Sequence, residues 1–175
     1  MKKILFMLAV GTSIALSSCA ATNANTNLKK SEMATGKEVR GTWTLTNVDY
    51  QGLANKQVEG NNFVTETVTN VFNTASPNCF IGSTWNLIQN NKTGTITFNT
   101  SNATCPTGTL NIIWDIKENA DTTNFMFKDV TGIKAKQNTA GYNLIVNYLN
   151  TNTMQLTQDV NVEGKIAKII YTFQR

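Results

Sequence analysis

The sequence predicts an all-β protein, an antiparallel up-and-down barrel of about eight strands with one short helix. Three observations carry this expectation. From Gly41 onward, short segments alternate polar and apolar residues with a period of two, as strands do when one face is buried and the other is wet. Turn-prone stretches, such as Asn-Asn-Lys-Thr-Gly at 90–94 and Val-Glu-Gly-Lys at 162–165, separate the segments, and their Asn and Gly readily turn a chain. The segments are short, evenly sized and consecutive, so each can pair with the next and the last with the first.

Taken in order, residues 41–50 place Trp43 and Leu45 on one face, with Thr42, Thr44 and Thr46 on the other. Residues 83–89 align Trp85 with Leu87, and residues 95–100 align Ile96 with Phe98. Leu110, Ile112, Trp114 and Ile116 share a face over 109–117, and Phe125 and Phe127 follow on the next segment. Tyr142, Leu144, Val146 and Tyr148 alternate over 141–149. The last two segments offer Met154, Leu156, Val160 and Val162, then Ala167, Ile169, Tyr171 and Phe173. The stretch 53–78 reads differently: a strand followed by a helical turn near 68–72, because Val68, Val71 and Phe72 have helical spacing and Pro77 would end such a turn. An eight-stranded barrel has an interior just wide enough to be filled by side chains or to hold one small ligand.

The start of the chain has a separate logic. Lys2 and Lys3 precede a mostly apolar run over 4–16, the layout of a secretory signal. Thirteen residues (4–16) are too few to cross a bilayer, which takes about 20. The run ends in Leu16-Ser17-Ser18-Cys19. This resembles the lipobox of bacterial lipoproteins, which are cut before the cysteine and acylated on its thiol and new amine. The resemblance implies that 1–18 is a signal peptide and that Cys19 carries the lipid, of palmitate type. Two or three acyl chains anchor firmly, since each buried methylene contributes about 0.8 kcal/mol and one chain alone is marginal. Residues 20–39 are small and polar with no apolar period, so a coil tether is expected, with an end-to-end distance of about 25 Å. The expected organisation is thus 1–18 signal, 19–40 acylated cysteine and tether, and 41–175 barrel.

Composition removes several function classes. Losing Lys2 and Lys3 leaves thirteen basic against eleven acidic residues, a net charge of +2. The basic residues are scattered, so a nucleic acid partner is not expected. There is no histidine, which excludes His-based general bases, Ser-His-Asp and Cys-His nucleophiles, and His-ligated metals. No metal site, cofactor or enzymatic activity is expected. Asp49, Glu66, Asp115 and Asp129 are the carboxylates that a paired-acid mechanism would need to bring together. With Cys19 acylated, Cys79 and Cys105 remain, and two thiols in an exported protein point to one disulfide.

Gly41-Thr42-Trp43 on the first strand resembles the Gly-x-Trp signature of lipocalins. The stretch 79–85, Cys-Phe-Ile-Gly-Ser-Thr-Trp, and the strands that follow it to Arg175 resemble the lipocalin-like domain of lipoproteins in Bacteroidota-type bacteria. The resemblance spans 41–175 and implies a small calyx-shaped barrel. In lipocalins the signature tryptophan packs at the closed end against an arginine from the end of the last strand, places that Trp43 and Arg175 would take. The Thr-Asp-Tyr signature of that family has no clear counterpart.

The leading functional expectation is a monomeric, membrane-anchored module that binds a small hydrophobic or amphipathic ligand. Trp85, Phe98, Trp114, Phe127 and Tyr148 would line the pocket. The expected location is the outer membrane, facing the periplasm, because no acidic run follows Cys19. The alternative is a non-catalytic interaction lipoprotein whose barrel is filled and which binds an envelope partner.

Overall fold

The computed structural model describes residues 36–57 and 63–175. The signal segment, Cys19 and the tether up to residue 35 lie outside the described residues. Eight strands form a closed antiparallel barrel: β1 (Gly41–Gln51), β4 (Thr84–Ile88), β5 (Thr93–Phe98), β6 (Gly108–Glu118), β7 (Thr123–Asp129), β8 (Tyr142–Leu149), β9 (Thr153–Val162) and β10 (Lys165–Gln174). Each pairs with the next, and β1 closes the ring by pairing with both β4 and β10. Outside it, β2 (Asn55–Gln57) and β3 (Phe63–Thr65) form a two-stranded ribbon in the connection between β1 and β4. The all-β, up-and-down barrel expected from the periodicity is the fold observed, and it is consistent with a lipocalin-like architecture.

Alternation decides which residues go inside. Along β5, Gly94, Ile96 and Phe98 are buried while Thr93, Thr95 and Thr97 are less so. Along β10, Ala167, Ile169, Tyr171 and Phe173 are buried in the same way. Gly94 is required by contact rather than by flexibility. A Cβ there would lie 2.5 Å from the Asn86 carbonyl oxygen and 3.2 Å from Leu87, so any side chain would push β4 away from β5. A bulge between Leu45 and Asn47 shifts the register of β1, and Val48 rather than Asn47 returns to the interior. With an apolar interior and an exterior of Thr, Asn, Lys and Asp, the barrel is the reverse of a membrane-spanning one, whose outward face is apolar.

The connection between β1 and β4 corrects one expectation. The helical turn is not near 68–72, ended by Pro77. It is a 3-10 turn at Pro77–Phe80, and Pro77 begins it. A first-turn proline has no N–H to lose and a φ already suited to a helix. Val68, Val71 and Phe72 have helical spacing, but residues 71–75 instead make a tight reversal. The Val71 N–H donates to the Ala75 carbonyl at 2.8 Å, and the Thr74 N–H donates to the Val71 carbonyl at 3.0 Å.

The two ends of the barrel differ. At one end lie the start of β1, the short β4–β5, β6–β7 and β8–β9 turns, and Arg175. At the other lie the long β1–β4, β5–β6 and β7–β8 connections, the first two joined by a disulfide between Cys79 and Cys105 with an S–S distance of 1.98 Å.

Candidate functional site

The interior is built from aromatic side chains that the strands deliver in register. Trp43, Trp85, Trp114, Phe80, Phe125, Tyr171 and Phe173 are essentially inaccessible. Trp85 meets Phe127 at 5.4 Å and Phe173 at 5.1 Å edge to face, and Trp114 stacks on Phe125 at 5.9 Å. These are separations at which ring quadrupoles attract. Trp85 and Trp114 satisfy their indole N–H groups locally, donating to the Ser83 hydroxyl at 3.0 Å and to the Thr93 carbonyl at 2.8 Å.

At the loop-rich end, one residue that the periodicity does not single out fills the mouth. Phe72, at the tip of the 71–75 reversal, is 5% exposed. Its ring lies 5.4 Å from Phe80, 5.0 Å from Phe127, 5.2 Å from Tyr142 and 5.7 Å from Tyr171. Phe72 and Asn73 both sit in the left-handed region, at φ 55° and 51°. That conformation is costly for a bulky residue, and it is held because the ring is packed on several sides. The available signal was two adjacent apolar residues, Val71 and Phe72, inside a polar connection.

The opposite end is sealed from the N-terminal side. Residues 36–39 turn beneath the barrel with Val39 buried, and Trp43 donates its indole N–H to the Val39 carbonyl at 2.7 Å. The Arg175 guanidinium lies 3.9 Å above the Trp43 ring and donates to the carbonyls of Glu38 at 2.8 Å and Arg40 at 3.3 Å. A double-mutant cycle on Trp43→Leu and Arg175→Ala is expected to give a coupling of about 0.5–2 kcal/mol in chemical unfolding. A coupling near zero would mean that the two residues only share a neighbourhood.

Trp85, Phe98, Trp114 and Phe127 thus lie in one packed cluster, and Phe98 joins it through Phe80 at 5.0 Å. Tyr148 does not join them. A bulge between Val146 and Tyr148 places it opposite Gln155 on the outside wall, half-buried, where its hydroxyl accepts from the Asn150 amide at 2.6 Å. The carboxylates are engaged separately. Asp115 pairs with Lys92 at 2.7 Å, Asp49 accepts from Asn47, Asp129 accepts from the Thr131 N–H, and Glu66 accepts from the Ala54 N–H.

Two grooves open at the barrel surface, the first of them reaching core residues. One, of about 320 Å³, runs over β6 and β7, where Ile113, Asp115, Met126 and Lys128 line it together with Trp114, Phe127 and Tyr142. The other, of about 790 Å³, follows residues 67–70 beside the disulfide and is lined by Thr, Asn, Ser and Pro. The chain matches no protein-family model, no curated protein and no solved structure.

The buried phenols set a limit on alkaline stability. Burial pushes the Tyr171 hydroxyl far above its ordinary range, with Tyr50 nearby adding to the shift. The hydroxyl also donates to Gln158 at 2.8 Å. Tyr50 and Tyr142 are raised as well, mainly by burial, and Asp129 adds to the shift at Tyr142. A group whose pKa is raised on folding contributes stability that is complete below its unfolded value and is lost as pH rises above it. The unfolding midpoint is therefore expected to hold up to about pH 10, the unfolded tyrosine pKa, and then to fall. Phenolate absorbance should appear with unfolding rather than before it for Tyr171, which titration of Tyr171→Phe beside the wild type would check.

Proposed function

We propose that this chain is a non-catalytic interaction lipoprotein of the bacterial cell envelope, whose filled barrel presents its outer surface to an envelope partner. The observation that carries the reading is the packed interior. The rings that would have to part around a hydrophobic ligand instead contact one another, and Phe72 occupies the mouth. A ligand pocket needs a few hundred Å³ of space; the groove of about 320 Å³ reaches Trp114 and Phe127 from over β6 and β7, while the rings of Trp85, Phe125 and Phe173 pack against one another in the interior.

Anchoring through an acylated Cys19 is part of the proposal, supported by the apolar run over 4–16 and the cysteine that closes it. The described chain begins at Gly36, at the end of the barrel that Trp43 and Arg175 seal. An anchor on Cys19 would enter from that end and leave the disulfide-linked connections directed away from the lipid. The outer membrane, with the barrel facing the periplasm, is the proposed location.

Two separate measurements test the reading. Titrating fatty acids, retinoids and sterols should leave tryptophan emission and melting temperature unchanged. A saturable shift would restore the ligand-binding alternative. Cys19→Ala should move the protein from the detergent phase to the aqueous phase, and a variant that stays with the membrane would remove the anchor from the proposal.

A further inference from the structure

The outer wall of the barrel is not uniform. Across β1, β4, β5 and β6 the paired residues that face outward form cross-strand rows. One row is Thr44, Thr84, Thr97 and Thr109, and the next is Thr42, Asn86, Thr95 and Asn111. Beyond them, Ile88, Thr93 and Ile113 form a margin. No charged side chain interrupts these rows. Two ion pairs among the described residues lie beside or away from these rows, Lys92–Asp115 at the sealed end and Lys168–Asp159 across β9 and β10. An uncharged row also crosses the far wall, through Tyr148, Gln155, Thr172 and Asn47, but there Tyr148, Gln155 and Asn47 are engaged by Asn150, Asn147 and Asp49.

The two polar rows also differ in what they have to offer. The Thr97 and Thr109 hydroxyls bond each other at 3.1 Å, and the Thr84 hydroxyl accepts from Asn99 at 2.9 Å. In the middle row, among the described residues, the side chains of Thr42, Asn86, Thr95 and Asn111 have no protein partner. Hydroxyl and amide alternate there at the spacing of neighbouring strands, about 4.8 Å. Each group both donates and accepts.

We propose that this face is a docking surface for a neutral polysaccharide chain. A charged partner would find no counter-charge on it. A greasy partner would gain little from a wall with isoleucines only at the margin. A polymer of repeated hydroxyls matches a row of groups that each donate and accept. Single neutral hydrogen bonds at a wet surface gain little net free energy, so affinity would come from many repeats engaging together, and a lone monosaccharide would not suffice. The proposal deepens the interaction reading and rests on it, since a filled barrel must act through its outside. The test below is independent of the hydrophobe titration.

The full chain in detergent is run on native gels containing soluble uncharged polysaccharides, such as a mixed-linkage glucan, a mannan or a dextran. Retardation by at least one of them is expected. In the Asn86→Lys/Thr95→Lys double variant, apparent affinity should fall at least tenfold with an unchanged melting temperature. Asn161→Lys, on the far wall, should bind as the wild type does. If the double variant melts early, Thr42→Lys alone is the replacement and should give the same loss. The proposal is overturned by no retardation in any gel, by retardation that survives the row substitutions, or by light scattering that shows a wild-type dimer broken by those same substitutions. The last result would make the face a contact between copies. A failed gel test beside a silent hydrophobe titration would remove the glycan and leave the filled-barrel reading standing.

Discussion

Phe72→Ala is expected to lower the unfolding free energy by about 3–5 kcal/mol, the range for deleting a buried phenyl ring and leaving its cavity behind. The upper part of that range applies because the ring is 5% exposed and touches Phe80, Phe127, Tyr142 and Tyr171 at once. Those partners come from β7, β8, β10 and the 3-10 turn, so they cannot collapse together into the space. The backbone offers a control. At φ 55° alanine remains strained, whereas glycine does not. Phe72→Gly should therefore be no less stable than Phe72→Ala, although glycine is ordinarily the worse replacement. Urea unfolding with an unchanged slope checks both. A second readout follows from the same geometry: the alanine variant, but not the wild type, should take up a small aromatic such as indole. A loss below about 1 kcal/mol would place Phe72 on the surface of the core rather than in it.

The contrast between Phe72 and the strand residues shows what sequence could convey. Period-two alternation locates Trp85, Leu87, Ile96, Phe98, Trp114 and Phe127 on the inside because an antiparallel wall has two faces and only one of them is dry. Bulges break that inference. At Asn47 in β1 and near Asn147 in β8, one extra residue resets the alternation, and Tyr148 is turned outward although the count from Leu144 points it inward. Connections are harder still. The conformation of 66–80 is set by partners on four other elements, and Val68, Val71 and Phe72 carry the same apolar spacing whether they form a helical turn or a reversal. Whether the interior was hollow was not legible either, since it turned on a ring supplied by a loop. The outward Thr and Asn rows were present as alternation in the sequence, but their alignment across strands is a property of register.

Removing the Cys79–Cys105 disulfide, as Cys79→Ala/Cys105→Ala, is expected to cost about 3.5 kcal/mol, the chain-entropy value for closing a loop with a sequence separation of 26. The effect has a local component as well. Cys79 lies in the 3-10 turn directly before Phe80, and Phe80 packs on both Phe98 and Phe72. The bond therefore ties the β5–β6 connection to the segment that carries the rings closing the barrel mouth. Releasing it frees the unfolded chain and also loosens the seating of Phe80. Two consequences separate these contributions. The denaturant slope should rise when the crosslink is lost, because the unfolded chain exposes more surface. Combining the cysteine substitutions with Phe72→Ala should cost less than the sum of the two, because both act on the same cluster of rings. Full additivity would confine the disulfide to an entropic role in the unfolded state, and a loss below about 1 kcal/mol would mean that the noncovalent packing at the mouth holds these segments without the bond.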